Sequence, residues 1–459
     1  MGAALPGLPS ADMTMHPRPI DWLIQPFQVF AAYKLSGALL LIGAALLALL
    51  LANSPWAEFY QQALELPISV GAGDFVTEKP LLLWVNDGLM GIFFFHVGLE
   101  IKRELRHGEL SSLRKAALPA VAAVGGMLIP ALLYVALNRG GPGAEGWGVP
   151  MATDIAFALG VLALLGERVP VGLRIFLTAL AIVDDIGAVL VIAVFYTDTV
   201  SVVSLSIAAC LYVAAISFNL MRVANPVAYF LLGTAVWFAF LKSGVHATIA
   251  ALLMAFTIPV TAKSGGRRLI EHLERELGEF KRLVRIDGAD INSPRQQEIL
   301  DDMAIQIESA SSPLLRLEHA LVPVVSFLVL PTFALANAGV SLGEGALRSV
   351  SDPIALGIII GLFVGKPLGV TLFSWIAVRA GIADLPQGVS WRGMFGVSVL
   401  AGIGFTMSLF ISGLAFGPGL GEVAKMGILS GSLISGVVGW ALLYTATEES
   451  DAPQSADAS

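Results

Sequence analysis

Charged residues and cysteine are both scarce in this chain of 459 residues. Only 14% of the residues are charged, whereas soluble domains have about 25%. The single cysteine, Cys210, rules out an intrachain disulfide, and no histidine–cysteine cluster has the spacing of a transition-metal site. The net charge of −8 gives no basis for binding nucleic acid. A disulfide-rich scaffold is therefore excluded, and the sequence gives no indication of a zinc module or of a nucleic-acid-binding protein.

Long apolar segments are what the chain has instead. Hydrophobic residues make up 56% of it, and its mean hydropathy is +0.79. A helix needs about 20 mostly apolar residues to cross a bilayer. Apolar runs of suitable length cover residues 33–54, 81–99, 116–137, 150–165, 171–196, 201–220, 226–241, 245–261, 318–340, 353–378, 394–416 and 425–445. They predict an all-α, polytopic membrane protein with about twelve transmembrane helices, surrounded by membrane lipid.

Basic residues alternate between the links that join these segments. The link after the second span contains Lys102, Arg103, Arg106, Arg114 and Lys115, and the link after the eighth is also rich in basic residues. Links after odd-numbered spans have at most one each. Because lysine and arginine are concentrated in cytoplasmic loops, both termini are predicted to be cytoplasmic.

The chain divides into five parts on this basis. Residues 1–32 form a cytoplasmic N-terminal segment, and residues 33–262 and 317–445 contain spans 1–8 and 9–12. Between them, residues 263–316 form a charged cytoplasmic insertion whose helical spacing predicts amphipathic helices in two pieces, with either a regulatory or a merely solvated role. Residues 446–459 have the composition of a disordered cytoplasmic tail.

A short link on the outer side has a different pattern. Residues 66–79, LPISVGAGDFVTEK, alternate apolar and polar residues around Gly-Ala-Gly-Asp. This pattern predicts a small extracytoplasmic β-hairpin. An isolated hairpin is only marginally stable in water unless it pairs with another element. The hairpin is therefore a candidate contact for a homodimer, and a plain loop is the alternative.

Ionisable residues occur inside the predicted spans, at Asp87, Asp154, Asp184, Asp185 and Lys366. A charge at the centre of a membrane helix costs about 2.5–3.5 kcal/mol on insertion scales. These side chains must therefore face a polar cavity, pair with one another or be neutral. A single buried aspartate can simply hold two helices together, but the whole set indicates a transport pathway.

Asp184 and Asp185 are adjacent in the stretch AIVDDIGAVL, so on a helix their side chains diverge by about 100°. Only one of them can point directly into a given cavity. Mutual repulsion and loss of hydration favour the protonated form of neighbouring carboxylates, which then have a proton to exchange near neutral pH. Their oxygen atoms suit a hard cation such as Na⁺ or Li⁺. The pair is therefore the predicted site for Na⁺ and protons.

Two spans contain residues that interrupt a helix. Pro150 precedes Met-Ala-Thr-Asp in the fourth span, and Gly402 and Gly404 lie midway through the eleventh. Interrupted helices in corresponding spans indicate an inverted-repeat transporter, with two interrupted helices that cross at the substrate site. Asp154 is predicted to offset the positive helix ends there, and Lys366 the negative ones.

Several motifs point to a known transporter family. In chain order they are LLLWVNDGLM, VGLEIKREL, ATDIAFALGVLALLG, DDIGAVLVIAVFYT, LKSGVHAT, LPTFALANAGVSL, GKPLGV and GIGFTMSLFI. From about Tyr33 to Tyr444 the sequence resembles the bacterial sodium/proton antiporters of the NhaA type. The segment 263–316 is the main region that looks longer than in the best-known members.

The resemblance implies a twelve-helix protein of the bacterial inner membrane that forms a homodimer through its outer hairpin. It implies export of Na⁺ or Li⁺ in exchange for a larger number of entering protons. Such transport is electrogenic and serves pH homeostasis and salt tolerance. A protein of this kind needs no cofactor and is not an enzyme.

The resemblance also implies roles for individual residues. Asp184 and Asp185 are the implied cation and proton carboxylates, and Asp87 is implied to line the cavity beside the second span. The residues implied at the crossed, unwound helices are Thr153, Asp154 and Lys366. The implied cytoplasmic cluster that senses pH consists of Glu100, Lys102, Arg103, Glu104, Glu318 and His319.

Two departures from the family pattern concern pH regulation. Val322 occupies the place of a second histidine in LEHALVP, and His96 lies where an apolar residue is expected. The pH range of activation is therefore expected to differ from that of other members. His246 in SGVHAT is either a titratable residue or a packed, hydrogen-bonded one.

The sequence leaves three alternatives. One is an antiporter of the same fold for K⁺ or another cation. Another is a passive cation channel, which would not need broken helices and a buried lysine. The third is an intramembrane aspartyl protease, which places Gly-x-Gly-Asp within a span, whereas here Gly71 to Asp74 lie in the predicted hairpin.

Overall fold

The computed structural model describes residues 36–72, 75–197, 200–221, 223, 225–261, 266–287, 293–310, 312–343 and 349–448. The predicted N-terminal segment 1–32, the hairpin tip at 73–74 and residues 449–459 of the predicted tail lie outside the described residues. Most of the described chain is helical, and a two-stranded sheet accompanies the helices.

The helices and strands have the following order and bounds along the chain. They are α1 (Ser36–Ala52), α2 (Ala57–Glu65), β1 (Pro67–Ala72), β2 (Phe75–Pro80), α3 (Leu81–His107), α4 (Leu113–Asn138), the 3₁₀ helix α5 (Ala144–Met151), α6 (Ile155–Leu164), α7 (Val171–Phe195), α8 (Val202–Leu220), α9 (Pro226–Ser243), α10 (Ala247–Thr257), α11 (Gly266–Asp287), α12 (Pro294–Ala310), α13 (Pro313–Asn337), α14 (Pro353–Arg379), α15 (Trp391–Leu400), α16 (Phe405–Ala415) and α17 (Pro418–Glu448). Short 3₁₀ turns occupy Glu109–Ser111 and Gly166–Arg168, and π-helical turns interrupt α3, α13 and α14 at Val85–Leu89, Val325–Val329 and Gly361–Gly365.

Within the described residues, eight helical segments are long and apolar enough to cross a bilayer. They are α3, α4, the segment from α5 to α6, α7, α8, α13, α14 and α17. Two bent pairs also qualify when each is taken together, α1 with α2 at 111° and α15 with α16 at 47°. α9 and α10 are shorter apolar helices. The chain is therefore a multi-pass α-helical membrane protein.

The helices differ from the predicted elements at three places. α13 begins at Pro313, so residues 313–316 belong to that helix rather than to the charged insertion. α2 is not among the predicted helices; it follows a sharp turn at which the Asn53 side-chain amide donates to Leu49 O and Val340 O. α17 runs to Glu448, so residues 446–448 continue the last helix rather than begin the tail. The sequence Ala-Thr-Glu contains no proline or glycine that would end a helix there. In the charged insertion, α11 and α12 are two separate helices, in line with the predicted helical spacing in two pieces.

The predicted β-hairpin is confirmed as an antiparallel pair of β1 and β2. The Trp84 indole donates to Ile68 O at 2.9 Å, and the Lys79 ammonium pairs with the Asp87 carboxylate at 2.8 Å. Both contacts attach the hairpin to the beginning of α3. They supply the additional packing that two strands need for stability.

Small residues let two central helices touch at their backbones. A Cβ atom added to Gly369 of α14 would lie 2.1 Å from Gly125 O of α4, and one added to Gly125 would lie 2.4 Å from Gly369 O. Because lipid provides little hydrophobic drive for helix association, close packing of such small residues contributes much of the stability of helix contacts in membranes. α14 is held against α4 by this contact, which fixes the helix that contains Lys366.

Buried side chains form two clusters that meet at α3. The larger includes Phe94 of α3 together with residues of α6, α7, α15 and α16. The smaller includes Leu99 of α3 together with residues of α8, α9 and α10. The candidate site lies in the larger cluster.

We expect Gly369→Ala to destabilise the protein, because the added methyl group meets backbone atoms that cannot move aside without shifting a helix. Overpacking of this kind typically costs about 1–3 kcal/mol. The matched control is Gly413→Ala in α16, where an added Cβ meets no atom within 4 Å. Thermal unfolding midpoints in one detergent measure both changes, and equal midpoints for the two variants would contradict this account of the α4–α14 contact.

Candidate ion-exchange site

The first break lies between α5 and α6. The 3₁₀ helix α5 contains Pro150 and ends at Met151, and α6 begins at Ile155. Between them, Ala152 and Asp154 have extended backbone angles. The Asp154 carboxylate caps α6 because its Oδ1 accepts the Phe157 N–H at 2.9 Å.

The second break lies between α15 and α16, and glycine is required there for close approach. A Cβ atom on Gly402 would lie 2.3 Å from Leu362 O in the π-helical turn of α14. The Lys366 N–H donates to Gly361 O, and Pro367 has no N–H. Leu362 O therefore lacks the helical donors usual at i+4 and i+5, and the break packs directly against it.

The two breaks contact each other through their backbones. The Asp154 N–H donates to Ile403 O at 2.6 Å, and the Thr153 hydroxyl lies 2.8 Å from Ala401 O. The Ser408 hydroxyl donates to Val149 O at 2.8 Å. These bonds satisfy backbone groups that the interrupted helices leave free.

Asp154 lies at the N-terminal ends of both half-helices. Its Oδ2 accepts the Thr406 N–H at 3.0 Å and the Thr406 hydroxyl at 2.5 Å, at the start of α16. Its Oδ1 already caps α6. One buried carboxylate thus meets the positive ends of two helix dipoles.

Lys366 lies at the opposite helix end and is fully buried. Its ammonium donates to Met151 O, at the C-terminal end of α5. The same ammonium is 2.6 Å from Asp184 Oδ2. Lys366 therefore joins the negative end of α5 to one of the two adjacent aspartates.

Asp184 and Asp185 are both buried in α7, with 1% and 2% of their surface exposed. Asp184 Oδ2 is 2.7 Å from the Thr153 hydroxyl, which has a single hydrogen to share between this oxygen and Ala401 O. The Oδ1 atoms of Asp184 and Asp185 have no hydrogen-bond partner within the described residues. Buried, unpartnered carboxylate oxygens are costly unless a proton or a cation satisfies them.

Asp87 is not brought into this cluster by any described polar contact. Its carboxylate pairs with Lys79 of the hairpin and remains about one-fifth exposed. The neighbouring Asn86 exchanges side-chain hydrogen bonds with Asn337, at 3.2 and 2.7 Å, and so ties α3 to the end of α13.

The predicted pH cluster is assembled around one guanidinium. Arg103 Nε lies 3.0 and 3.1 Å from the two carboxylate oxygens of Glu318. Arg103 also pairs with Glu104 at 2.7 Å and reaches Glu100 at 3.9 Å. The cluster therefore links α3 to α13 with three carboxylates for one arginine.

Two predicted members of that cluster lie apart from it. The Lys102 ammonium donates to Phe256 O at 2.6 Å and Ile258 O at 2.5 Å, so it caps the C-terminal end of α10. His319 is on the exposed side of α13. His246 Nε2 contacts Tyr196 O, which favours the packed, hydrogen-bonded interpretation of that residue.

Thr406 and Ser408 are site residues that the sequence analysis does not single out. Both lie within the first turn after Gly404, in the stretch Gly-Phe-Thr-Met-Ser. Hydroxyl residues just after a glycine break are a usable signal, because helix N-termini commonly need side-chain hydrogen bonds. The backbone acceptors Met151 O and Ala401 O have no sequence signal at all.

A multi-pass membrane protein with two broken helices in contact beside buried carboxylates has the architecture of a secondary transporter. The sequence model of the family described as Na⁺/H⁺ antiporter 1 matches residues 28–443. The chain belongs to this family of Na⁺/H⁺ antiporters, and the resemblance seen in the motifs is confirmed.

Similar proteins span nearly the same length. The chain is 48% identical to the Na⁺/H⁺ antiporter NhaA of Koribacter versatilis, over 93% of this chain and 92% of that protein. Identity to the NhaA of Oleidesulfovibrio alaskensis is 48%, over 93% and 95% of the two chains. Identity to the NhaA of Rhodospirillum rubrum is 47%, over 92% and 97%.

We expect Asp154→Ala to lower the thermal unfolding midpoint, because two backbone donors, one of them buried, and the Thr406 hydroxyl lose their acceptor at once. Each such group costs about 1–3 kcal/mol when left unsatisfied. Asp154→Asn retains one acceptor oxygen and should lose less stability. Asp352→Ala is the control, because Asp352 caps only α14, through Ile354 N at 2.8 Å, and such a cap is worth about 1 kcal/mol. A midpoint for Asp154→Ala no lower than that of the control would refute the double-cap assignment.

Proposed function

We propose that this chain exports Na⁺ or Li⁺ in exchange for protons, by competition of the cation and the proton for Asp184 and Asp185. The observation that carries the proposal is the pair of buried Oδ1 atoms, which have no hydrogen-bond partner in the part of the chain that the structure describes. Carboxylate oxygens are ligands for hard cations, and the same atoms accept protons. Membership of the antiporter family supports transport without a cofactor, and the relatives are named as antiporters and not as enzymes.

Lys366 competes with the cation for Asp184. Its ammonium is 2.6 Å from Asp184 Oδ2, so a Na⁺ ion on the two aspartates would place a second positive charge beside a buried one. Such repulsion is strong where the dielectric constant is low. Cation binding therefore favours withdrawal of the ammonium from Asp184.

The same residues support electrogenic exchange. Asp184 and Asp185 together offer more than one group that can release a proton when a single cation binds. Exchange of more than one proton per cation moves net charge, so the proton-motive force would drive sodium export against its own gradient.

The proposed membrane topology has twelve spans in the bacterial inner membrane. Eight are the long helical segments, two are α1 and the α15–α16 pair, and two are α9 and α10. The alternation of basic residues supports cytoplasmic termini. In this topology α5–α6 and α15–α16 are corresponding elements of an inverted repeat, which their mutual contact supports.

The hairpin is the proposed homodimer contact. Val70 of β1 and Val76 of β2 expose 43% and 49% of their surface, although both are large apolar residues. A short two-stranded sheet with exposed valines can gain both packing and an additional strand neighbour from a second copy.

The Arg103 cluster is the proposed pH-responsive link. A pH-dependent change in the net charge of the three carboxylates would alter the two-oxygen contact of Glu318 with Arg103 and so the connection between α3 and α13. The proposal keeps Glu100 and Glu104 in this cluster. It assigns Lys102 to anchoring α10, and His319 to the exposed face beside the cluster.

We expect Asp185→Asn to abolish cation-dependent proton movement, because the amide can neither release a proton nor bind Na⁺ as a carboxylate does. Asp184→Asn should have the same effect. The measurement uses inside-out membrane vesicles with a steady pH gradient, reported by a quenched acidotropic dye. Addition of NaCl or LiCl, but not KCl, should restore fluorescence with the native chain.

The matched control is Asp384→Asn, which removes an exposed carboxylate paired with Arg114 at 3.0 Å. It should exchange like the native chain. Recovery of fluorescence with KCl alone would show that potassium, and not sodium, is the substrate. A conductance that persists unchanged in Asp185→Asn would favour the passive channel and overturn the antiporter mechanism.

We expect Glu318→Gln to move the pH of half-maximal exchange to a lower value by about half a unit or more. The cluster has three carboxylates for one arginine, so removing one relieves repulsion among the others. Glu422→Gln is the control, because Glu422 pairs with Lys425 at 3.0 Å on the exposed beginning of α17. The same vesicle assay, repeated over a range of pH, gives the profiles. An unchanged profile for Glu318→Gln would remove the regulatory assignment while leaving the exchange site untouched.

A further inference from the structure

A cavity of about 410 Å³ lies between α1, α6, α13 and the start of α7. Its walls include Leu41 of α1, Leu159 of α6 and Leu330 of α13, with Arg174 of α7 at one side. Asp154, Asp184, Asp185 and Lys366 do not line it. The cavity is therefore separate from the ion-exchange site.

The walls of this cavity do not suit a cation. No aspartate or glutamate is among its lining residues, and the charged side chain that does line it is the cationic Arg174. The Arg174 guanidinium donates to Gly166 O through Nη2, and its Nε is buried without a hydrogen-bond partner within the described residues. The apolar cavity is therefore bordered by the Arg174 guanidinium, which has N–H donors available for a ligand.

Large apolar residues at the rim are open to the surroundings. Val322 lines the cavity and exposes 44% of its surface. Leu164 and Ile175, next in sequence to the lining residues Ala163 and Arg174, expose 60% and 42%. In a membrane protein such residues face hydrocarbon, so the opening lies at the level of the lipid chains.

The cavity lies near one surface of the membrane. Arg174 is at the beginning of α7, Ala163 is near the end of α6, and Gly37 is near the beginning of α1. The distribution of basic residues places all three of these helix ends on the cytoplasmic side. A lipid that reaches the cavity would therefore come from the cytoplasmic leaflet.

We propose that the cavity holds an acyl chain of an anionic phospholipid whose phosphate binds Arg174. The apolar walls match the chain, and the guanidinium matches a phosphate group in both charge and geometry. A free phosphate ion would meet one guanidinium, one serine (Ser326) and otherwise apolar walls. The bound lipid would fill the space between α1 and α6, beside the half-helix whose first turn Asp154 caps.

The test measures lipid retained by the full-length protein in a neutral detergent, by native mass spectrometry. Phosphatidylglycerol and phosphatidylcholine with identical chains are added separately. The native chain should retain phosphatidylglycerol in preference to phosphatidylcholine. Arg174→Gln should lower retention of phosphatidylglycerol about tenfold, the effect of losing one charge-assisted contact, and remove the preference.

Three further variants make the result specific. Arg174→Lys should retain part of the preference, because it keeps the charge but not the planar fork. Ala163→Phe should reduce retention of both lipids, because the ring occupies the space of the chain. Arg379→Gln is the matched control, since Arg379 is an exposed arginine at the end of α14 that does not line the cavity, and it should retain lipid like the native chain.

Two results would overturn the proposal. One is phosphatidylglycerol retention that neither Arg174→Gln nor Ala163→Phe changes. The other is displacement of the lipid by millimolar inorganic phosphate, which would show that the headgroup binds without the chain. Sodium-dependent dye recovery, measured separately, reports on the exchange site alone, so failure of the lipid proposal leaves the antiport proposal standing.

Discussion

The main constraint on the centre of this protein is that backbone groups at its interrupted helix ends cannot form hydrogen bonds with water. α5 ends and α6 and α16 begin within membrane-spanning segments, where free backbone groups and helix dipoles must be satisfied by protein. Asp154 accepts hydrogen bonds from the beginnings of both α6 and α16. Lys366 donates to the end of α5. The contact between the two helix breaks therefore depends on two buried side chains of opposite charge.

Lys366 connects this structural requirement to the proposed ion exchange. Its ammonium contacts both Met151 O and Asp184 Oδ2, so the group that neutralises a helix end also occupies a ligand atom of the proposed cation site. A cation that binds Asp184 would therefore disturb the ammonium group that also neutralises the C-terminal end of α5. In the proposed mechanism, stability and exchange thus share one side chain. The backbone contact of Gly125 with Gly369 holds the helix on which Lys366 lies.

Much of the fold could be predicted because its signals are rare in an apolar sequence. A proline, a pair of glycines or a carboxylate within a long hydrophobic run has few explanations, so the breaks near Pro150 and Gly402 and the buried aspartates stand out. α2 has no comparable signal. Nor could the partners of Asp87 and Lys102 be predicted, since each depends on which neighbouring element comes within about 3 Å.

By itself the sequence determined the class of protein, the places where helices break and the residues that carry buried charge. These follow from local hydropathy, backbone chemistry and the cost of charge in lipid. Tertiary structure decided which oxygens are paired and which are open. Asp184 Oδ2 is engaged by Thr153 and Lys366, whereas Asp184 Oδ1 and Asp185 Oδ1 have no described partner. Such pairing joins residues far apart in the chain, and a hydrogen bond depends on tenths of an ångström that no local pattern encodes.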